Sequence, residues 1–206
     1  LQGGRLHTTL PGLGAAWSVS LWFWNSQPNT ASAVTAYLVS RGSEGAKDAA
    51  GDHLGIGGTY RSDLAGRLMV FNGNERNQVV AGRTVIEPRT WNHAVMVREG
   101  NRVTVYLNGN LEIAAELQVG HAPDVNELFF GARNENFAPL QGRLAEVAVF
   151  DRALAAGDVV NLFKSSAQPA HPVATVAEPP KSIPPPLSPA ESLKKIHVRE
   201  DHQVEL

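Results

Sequence analysis

Residues Trp91 to Glu116 read WNHAVMVREGNRVTVYLNGNLEIAAE. Apolar residues alternate through Trp91, His93, Val95 and Val97, and again through Val103, Val105 and Leu107. A period of two is that of a pleated strand, whose successive side chains point to opposite faces. Two short polar breaks, Glu99-Gly100-Asn101 and Asn108-Gly109-Asn110, separate the runs. An Asn-Gly pair between β-branched runs is a hairpin signal, because both residues tolerate the positive φ of a tight turn. Turns this close leave no room for a crossover helix, so the stretch predicts an antiparallel meander within an all-β domain.

Working outward, Trp17 to Trp24 (WSVSLWFW) is a strand with Trp17, Val19, Leu21 and Phe23 on one face and Ser18, Ser20, Trp22 and Trp24 on the other. Further strands are expected at Arg5–Thr9, Thr35–Arg41, His53–Gly58, Arg67–Phe71, Asn77–Val80, Arg83–Ile86, Glu127–Ala132 and Arg143–Phe150. Asn72-Gly73-Asn74 repeats the turn signature. Only Asp151 to Lys164 looks helical, with Leu154, Val159, Leu162 and Phe163 near one stripe, Gly157 interrupting it and Asp158 placed to cap. This many short strands with frequent turns predicts two packed antiparallel sheets, a jelly-roll sandwich, with one short C-terminal helix.

The character changes after Ser165. Eight prolines fall between Pro169 and Pro189. Proline fixes φ and lacks a backbone donor, so an extended linker is expected there. The predicted organisation is a sandwich at 1–165, a Pro-rich linker at 166–190 and a fragment of a following module at 191–206.

Composition narrows the function. The 206 residues hold 18 Lys and Arg against 20 Asp and Glu, a formal charge of -2, so no broad positive field invites nucleic acid. Cysteine is absent, which removes disulfides and thiolate chemistry. No apolar run reaches the roughly 18 residues of a membrane span. The first residues show neither the basic start nor the apolar segment of a secretion signal, and with no Met at the start the chain is read as an excised or processed piece.

The ordered set of motifs carries a resemblance. Trp91-Asn92-His93-Ala94-Val95 is followed by Tyr106-Leu107-Asn108-Gly109, then Leu128 to Gly131, then Gly142 to Leu154. In this order they resemble the laminin G-like group of the concanavalin A-like lectin/glucanase superfamily. The resemblance implies a jelly-roll sandwich acting as a non-catalytic module that binds glycans or protein surfaces, within a secreted, extracytoplasmic, multidomain protein. It also implies that Trp22 packs. Residues 187–206, LSPAESLKKIHVREDHQVEL, resemble the opening of the planctomycete-type membrane-bound dehydrogenase modules, a bacterial group. Some members of the laminin G-like group carry structural calcium near the sandwich edge. Here Ala145 precedes Glu146, and Gln2-Gly3 stands where an Asp-Gly is usual, so two carboxylates are missing from a site that needs six to eight oxygens. Glu146 is the remaining metal candidate, with Asp48, Asp52 and Asp63 as unlinked alternatives.

No catalytic constellation is expected. Two carboxylates for glycoside hydrolysis would stand roughly 5 to 9.5 Å apart, yet the Glu-x-Asp-x-x-Glu pattern is absent, and Glu112 and Glu116 flank what reads as ordinary sheet. No nucleophile elbow and no His-Glu-x-x-His occurs. His93 alternates with Trp91 and Val95 and reads as a satisfied structural histidine. Gly55-Ile56-Gly57-Gly58 lacks the Lys-Ser/Thr pair and helix of a phosphate cradle. Recognition groups are expected in loops at one rim: Tyr60, Arg61, Asp63, Asn72, Asn74, Arg76, Arg133, Asn134 and Asn136, with Trp24 as a stacking platform. The expected partner is a polysaccharide or glycan. The second reading is a structural module docking on its own downstream domain.

Overall fold

The computed structural model describes residues 4–166. The expected linker and following fragment, Ser166 apart, lie outside the described residues, as does Gln2-Gly3. Eleven strands run β1 (Leu6–Thr9), β2 (Ala16–Asn25), β3 (Val34–Arg41), β4 (Asp52–Gly57), β5 (Leu68–Phe71), β6 (Val79–Ala81), β7 (Trp91–Glu99), β8 (Arg102–Leu107), β9 (Asn110–Glu116), β10 (Glu127–Phe130) and β11 (Gly142–Phe150). A helix, α1 (Ala156–Ser165), follows. They form a six-stranded sheet in the order β1-β10-β3-β4-β5-β6 and a five-stranded sheet in the order β11-β2-β7-β8-β9.

The meander that opened the sequence is β7-β8-β9. Its second turn has Asn108 at φ 51° and Gly109 at φ 77°, the two successive positive values of a tight hairpin. Asn72-Gly73-Asn74 instead opens a longer loop between β5 and β6, where the Asn74 N–H donates to the Asp48 carbonyl at 2.6 Å and the Asn77 N–H to Gly73 at 2.7 Å.

Alternation on β2 sets the core. Trp17, Val19, Leu21 and Phe23 point inward and meet Leu54, Ile56, Val70, Met96, Val105 and Leu128 between the sheets. The outward residues Ser18, Ser20 and Trp22 are buried as well, which alternation alone does not predict. The cause is α1 and the segment leading into it, which lie over the outer face of the five-stranded sheet and pack Leu154, Val159 and Leu162 on Val95, Val97 and Tyr106. Ser18 Oγ donates to the Arg152 carbonyl at 2.9 Å and accepts from the Leu154 N–H at 3.0 Å, fixing the approach to the helix. Asp158 serves the helix start by accepting from the Ala155 N–H at 3.3 Å and from Arg152 at 2.8 Å.

One expected strand is absent. Residues 83–86 form a loop, because the Glu112 carboxylate on β9 collects the N–H groups of Arg83 (2.6 Å) and Thr84 (2.9 Å) and the Thr84 hydroxyl (2.6 Å). A backbone whose donors end on a side chain has none left for a ladder. The glycines at the end of β4 serve packing: a Cβ on Gly57 would meet the Leu64 carbonyl at 2.4 Å, and one on Gly58 the Ser32 carbonyl at 2.1 Å.

Candidate functional site

The outer face of the six-stranded sheet is covered by loops and not by a helix. Tyr37 on β3 and Met69 and Phe71 on β5 point outward and are joined by Leu64 from the β4–β5 loop. Above them a cavity of about 200 Å³ stays open, lined by Tyr37, Phe71, Tyr60, Asn74, Asn77 and Arg133 among others. Its floor is aromatic and aliphatic, and its lips are polar. Tyr60 is 66% exposed on one lip. Phe137, 45% exposed, stands beside Tyr37 with ring centroids 6.4 Å apart.

Arg133 organises this groove. Its guanidinium lies 4.5 Å from the Phe137 ring centroid, 5.2 Å from Tyr37 and 5.4 Å from Phe71. Glu135 takes the Arg133 Nε–H at 2.5 Å, and Arg133 Nη1 donates to the Tyr37 hydroxyl at 3.3 Å. Burial raises the Tyr37 hydroxyl pKa, with Arg133 opposing. The phenol therefore stays protonated at neutral pH, a neutral donor beside the groove.

The loop carrying Arg133 is held from below. The Asn134 N–H donates to Ser40 Oγ at 3.1 Å, and Ser40 Oγ stands 2.7 Å from His53 Nδ1. His53 Nε2 stands 2.8 Å from the Ala49 carbonyl, which can only accept. The proton therefore sits on Nε2, and Nδ1 accepts from Ser40. Burial pushes the His53 pKa down to about 4, so this neutral tautomer holds at ordinary pH. The Asn134 side chain donates to the carbonyls of Ser43 (2.8 Å) and Ala50 (3.1 Å). The chain Asn134–Ser40–His53–Ala49 thus ties two loops to the sheet beneath the groove.

Among the residues the sequence proposed, Tyr60, Asn74 and Arg133 come together around this cavity. Arg61 and Asp63 pair with each other in solvent at 3.0 and 2.6 Å and do not line it. Asn72 is buried, donating to Gln78 at 2.7 Å and to the Gln118 carbonyl at 3.1 Å. Arg76 bonds Gln118 at 2.6 Å and borders a different cavity. Asn134 is wholly buried in the network above, and Asn136 forms the turn, at φ 64° with its N–H on the Arg133 carbonyl at 2.8 Å. Trp24 belongs to the other sheet, half-buried on its outer face with the Arg143 guanidinium 5.1 Å from its ring. Trp22 packs, as the resemblance implied: it is 4% exposed, lies 5.3 Å from His93 and 5.9 Å from Phe163, and donates Nε1–H to Ser166 Oγ at 3.1 Å.

Sequence reading missed Tyr37, Phe71, Asn77 and Phe137. The outward position of Tyr37 and Phe71 on their strands was available, but nothing in the alternation tells which outer face remains uncovered. His93 is buried, meets Ser20 Oγ at 2.8 Å, and has its pKa lowered to about 4 by burial.

Glu146 sits exposed on β11 at φ 49°, where the pairing with β2 slips between Ala145 and Ala148. Among the described residues no group of three or more His, Asp or Glu side chains is gathered where it could hold a metal ion. Asp48, Asp52 and Asp63 each face a cation already, at Lys47, Arg98 and Arg61. No helix of the described residues is long and apolar enough to cross a membrane.

Two antiparallel sheets of six and five strands, closed across one outer face by a short helix, define a jelly-roll sandwich of the lectin type. The chain belongs to the concanavalin A-like lectin/glucanases superfamily, whose laminin G family model matches residues 3–160. No curated protein matches the sequence. Among solved structures, a native heptameric SAP-like pentraxin from Limulus polyphemus superposes with a TM-score of 0.57 at 20% identity, over 77% of this chain and 75% of that one. Domain 4 of AbnA, a GH43 extracellular arabinanase from Geobacillus stearothermophilus, solved in complex with arabinotriose, gives 0.57 at 22% identity, over 79% and 74%. Trypanosoma rangeli sialidase gives 0.54 at 17% identity over 72% of this chain, which spans 22% of that enzyme's length.

Proposed function

We propose that this domain is a non-catalytic module that binds a neutral glycan in the Tyr60–Arg133 groove, within a larger extracytoplasmic protein. The observation that carries the reading is an aromatic-floored cavity of about 200 Å³ whose lips are Tyr60, Asn74, Asn77 and Arg133. A pyranose or furanose ring presents C–H faces that pack on aromatic rings and hydroxyls that need paired donors and acceptors. A few placed polar groups over an apolar floor is the general form of a small-molecule site. Tyr60 is the exposed stacking surface, and the side-chain amides of Asn74 and Asn77 supply donor and acceptor together. Arg133 is already matched by Glu135, so the groove offers no bare cation and favours an uncharged sugar. A domain of the same fold solved with arabinotriose, within an extracellular arabinanase, is consistent with such a role and with an extracytoplasmic location.

The test is a glycan array followed by isothermal titration of the hits. Tyr60→Ala is expected to weaken binding at least about tenfold, equivalent to roughly 1.4 kcal/mol, while Trp24→Ala leaves affinity unchanged. Absence of binding to every sugar at millimolar concentration would overturn the reading, as would full affinity in Tyr60→Ala.

A further inference from the structure

A second cavity, of about 440 Å³, opens at one end of the space between the sheets. Trp17 and Arg98 are register partners on β2 and β7, and Arg41 and Asp52 are register partners on β3 and β4. All four line this cavity, and Arg76 and His121 join them from loops. Asp52 and Arg98 bridge the two layers, with Nε on Oδ2 at 3.1 Å and Nη2 on Oδ1 at 2.5 Å. Both side chains are essentially inaccessible, at 0% and 1%.

A bridge of this kind needs one guanidinium, yet the structure buries two. Arg41 is 0% exposed, and its donors go to the carbonyls of Val125 at 3.0 Å, Gly14 at 2.8 Å and Leu13. Those oxygens are neutral. Among the described residues no carboxylate stands within ion-pair distance of Arg41, and both oxygens of Asp52 are occupied by Arg98. His121 places Nε2 3.4 Å from Asp52 Oδ2. At the border, Arg76 adds a further cation whose only hydrogen-bond partner among the described residues is the neutral Gln118 amide. Three guanidinium groups thus share one carboxylate. In addition, Trp17, only 1% exposed, keeps its Nε1–H without an acceptor among the described residues. Buried charge is ordinarily paired and buried donors are ordinarily satisfied. Here Arg41, Arg76 and the Trp17 indole all turn donors toward the cavity with no carboxylate of their own among the described residues.

We propose that this cavity binds an oxyanion, carried either by a free small ion such as sulfate or by the carboxylate of an acidic sugar. Anionic oxygen would face the Arg41 and Arg76 guanidiniums and accept from the Trp17 indole. The site is separate from the groove assigned to neutral glycan: apart from the residues of the long β5–β6 loop, where Asn74 borders one cavity and Arg76 the other, the two share no wall.

The test uses the full chain and two probes, sodium sulfate and sodium glucuronate, each against sodium chloride at equal ionic strength. Two-dimensional ¹H–¹⁵N spectra are expected to show a saturable shift of the Trp17 indole N–H, with the Trp22, Trp24 and Trp91 indoles unmoved. Arg76→Glu, an exposed charge reversal, is expected to weaken the response at least tenfold, whereas Arg89→Glu, which lines neither cavity, retains it. Saturation by sulfate points to a free ion, and saturation by glucuronate alone to an acidic sugar. A linear response equal to that of chloride, or one undiminished in Arg76→Glu, overturns the proposal. Sulfate also strengthens burial of any protein by exclusion from its surface, so a thermal shift alone does not decide.

Discussion

Asp52 shows how much one side chain can carry. Burial by itself would raise its pKa, but contacts with His121 and Arg98 overcome that and hold it at about 2. Removing one partner of a buried pair leaves the other charge uncompensated, at a cost of about 3–5 kcal/mol. Asp52→Ala should therefore lower unfolding stability by that amount in urea titrations, while the double change Asp52→Leu with Arg98→Met should cost less than Asp52→Ala alone. Two histidines give the opposite side of the same physics. His53 and His93 fall to about 4 because burial disfavours their charged form. In the unfolded chain they take up protons near 6.5, so between pH 4 and 6.5 the unfolded state binds more protons and stability rises with pH. Each fully shifted histidine contributes a slope of up to about 1.4 kcal/mol per pH unit. His93→Gln should flatten the stability profile by about one proton's worth in that window and leave it unchanged above pH 7; an unaltered slope would refute this. His93 could be read as structural from its alternation with Trp91 and Val95. The Asp52–Arg98 pair could not, since nothing local joins residues 46 positions apart.

The segments most legible in sequence were those whose partners lie next door. β7, β8 and β9 follow one another with short turns, and on β8 the alternation matches the burial, whereas β7 is buried on both faces because the helix lies over it. Residues 83–86 show the reverse case: their strand-like pattern yields to Glu112, which stands 28 and 29 positions away. Glu112 is itself kept below the ordinary carboxylate range; burial would raise it, and hydrogen bonds from Thr84 and Arg83 prevail. Glu112→Ala strands two backbone donors and should cost roughly 2–3 kcal/mol, at about 1–3 per unsatisfied group offset by access to water. The helix α1 was expected, but its duty was not. Because it covers Val95 and Val97, truncation after Phe150 should expose an apolar face and raise binding of a hydrophobic dye, with loss of cooperative melting. A truncated chain that melts like the parent would show that the five-stranded sheet needs no cover.

Strand order decides how the molecule assembles and where its cavities open. β1 pairs with β10, and β2 pairs with β11, so chain ends more than a hundred residues apart must meet before either sheet is complete. Non-local pairing of this kind is slow, with loop closure preceding the contacts that reward it. Refolding followed by tryptophan fluorescence should fall in the millisecond-to-second range, and microsecond folding would contradict the topology. By itself the sequence determined the all-β class, most strand positions and the inward row of β2, because pleat period and turn chemistry are local properties of the chain. Three members of the groove, Tyr60, Asn74 and Arg133, were also legible, since loops between strands are where polar and aromatic groups gather. Only the tertiary structure decided which outer face a helix would cover and which would stay open. It alone buried Asn72 and Asn134, parted Trp24 from the groove, and gathered Arg41, Asp52 and Arg98 at one end. Those outcomes depend on which distant strands lie side by side, and a pairing energy spread over two sheets leaves no mark on any single stretch of residues.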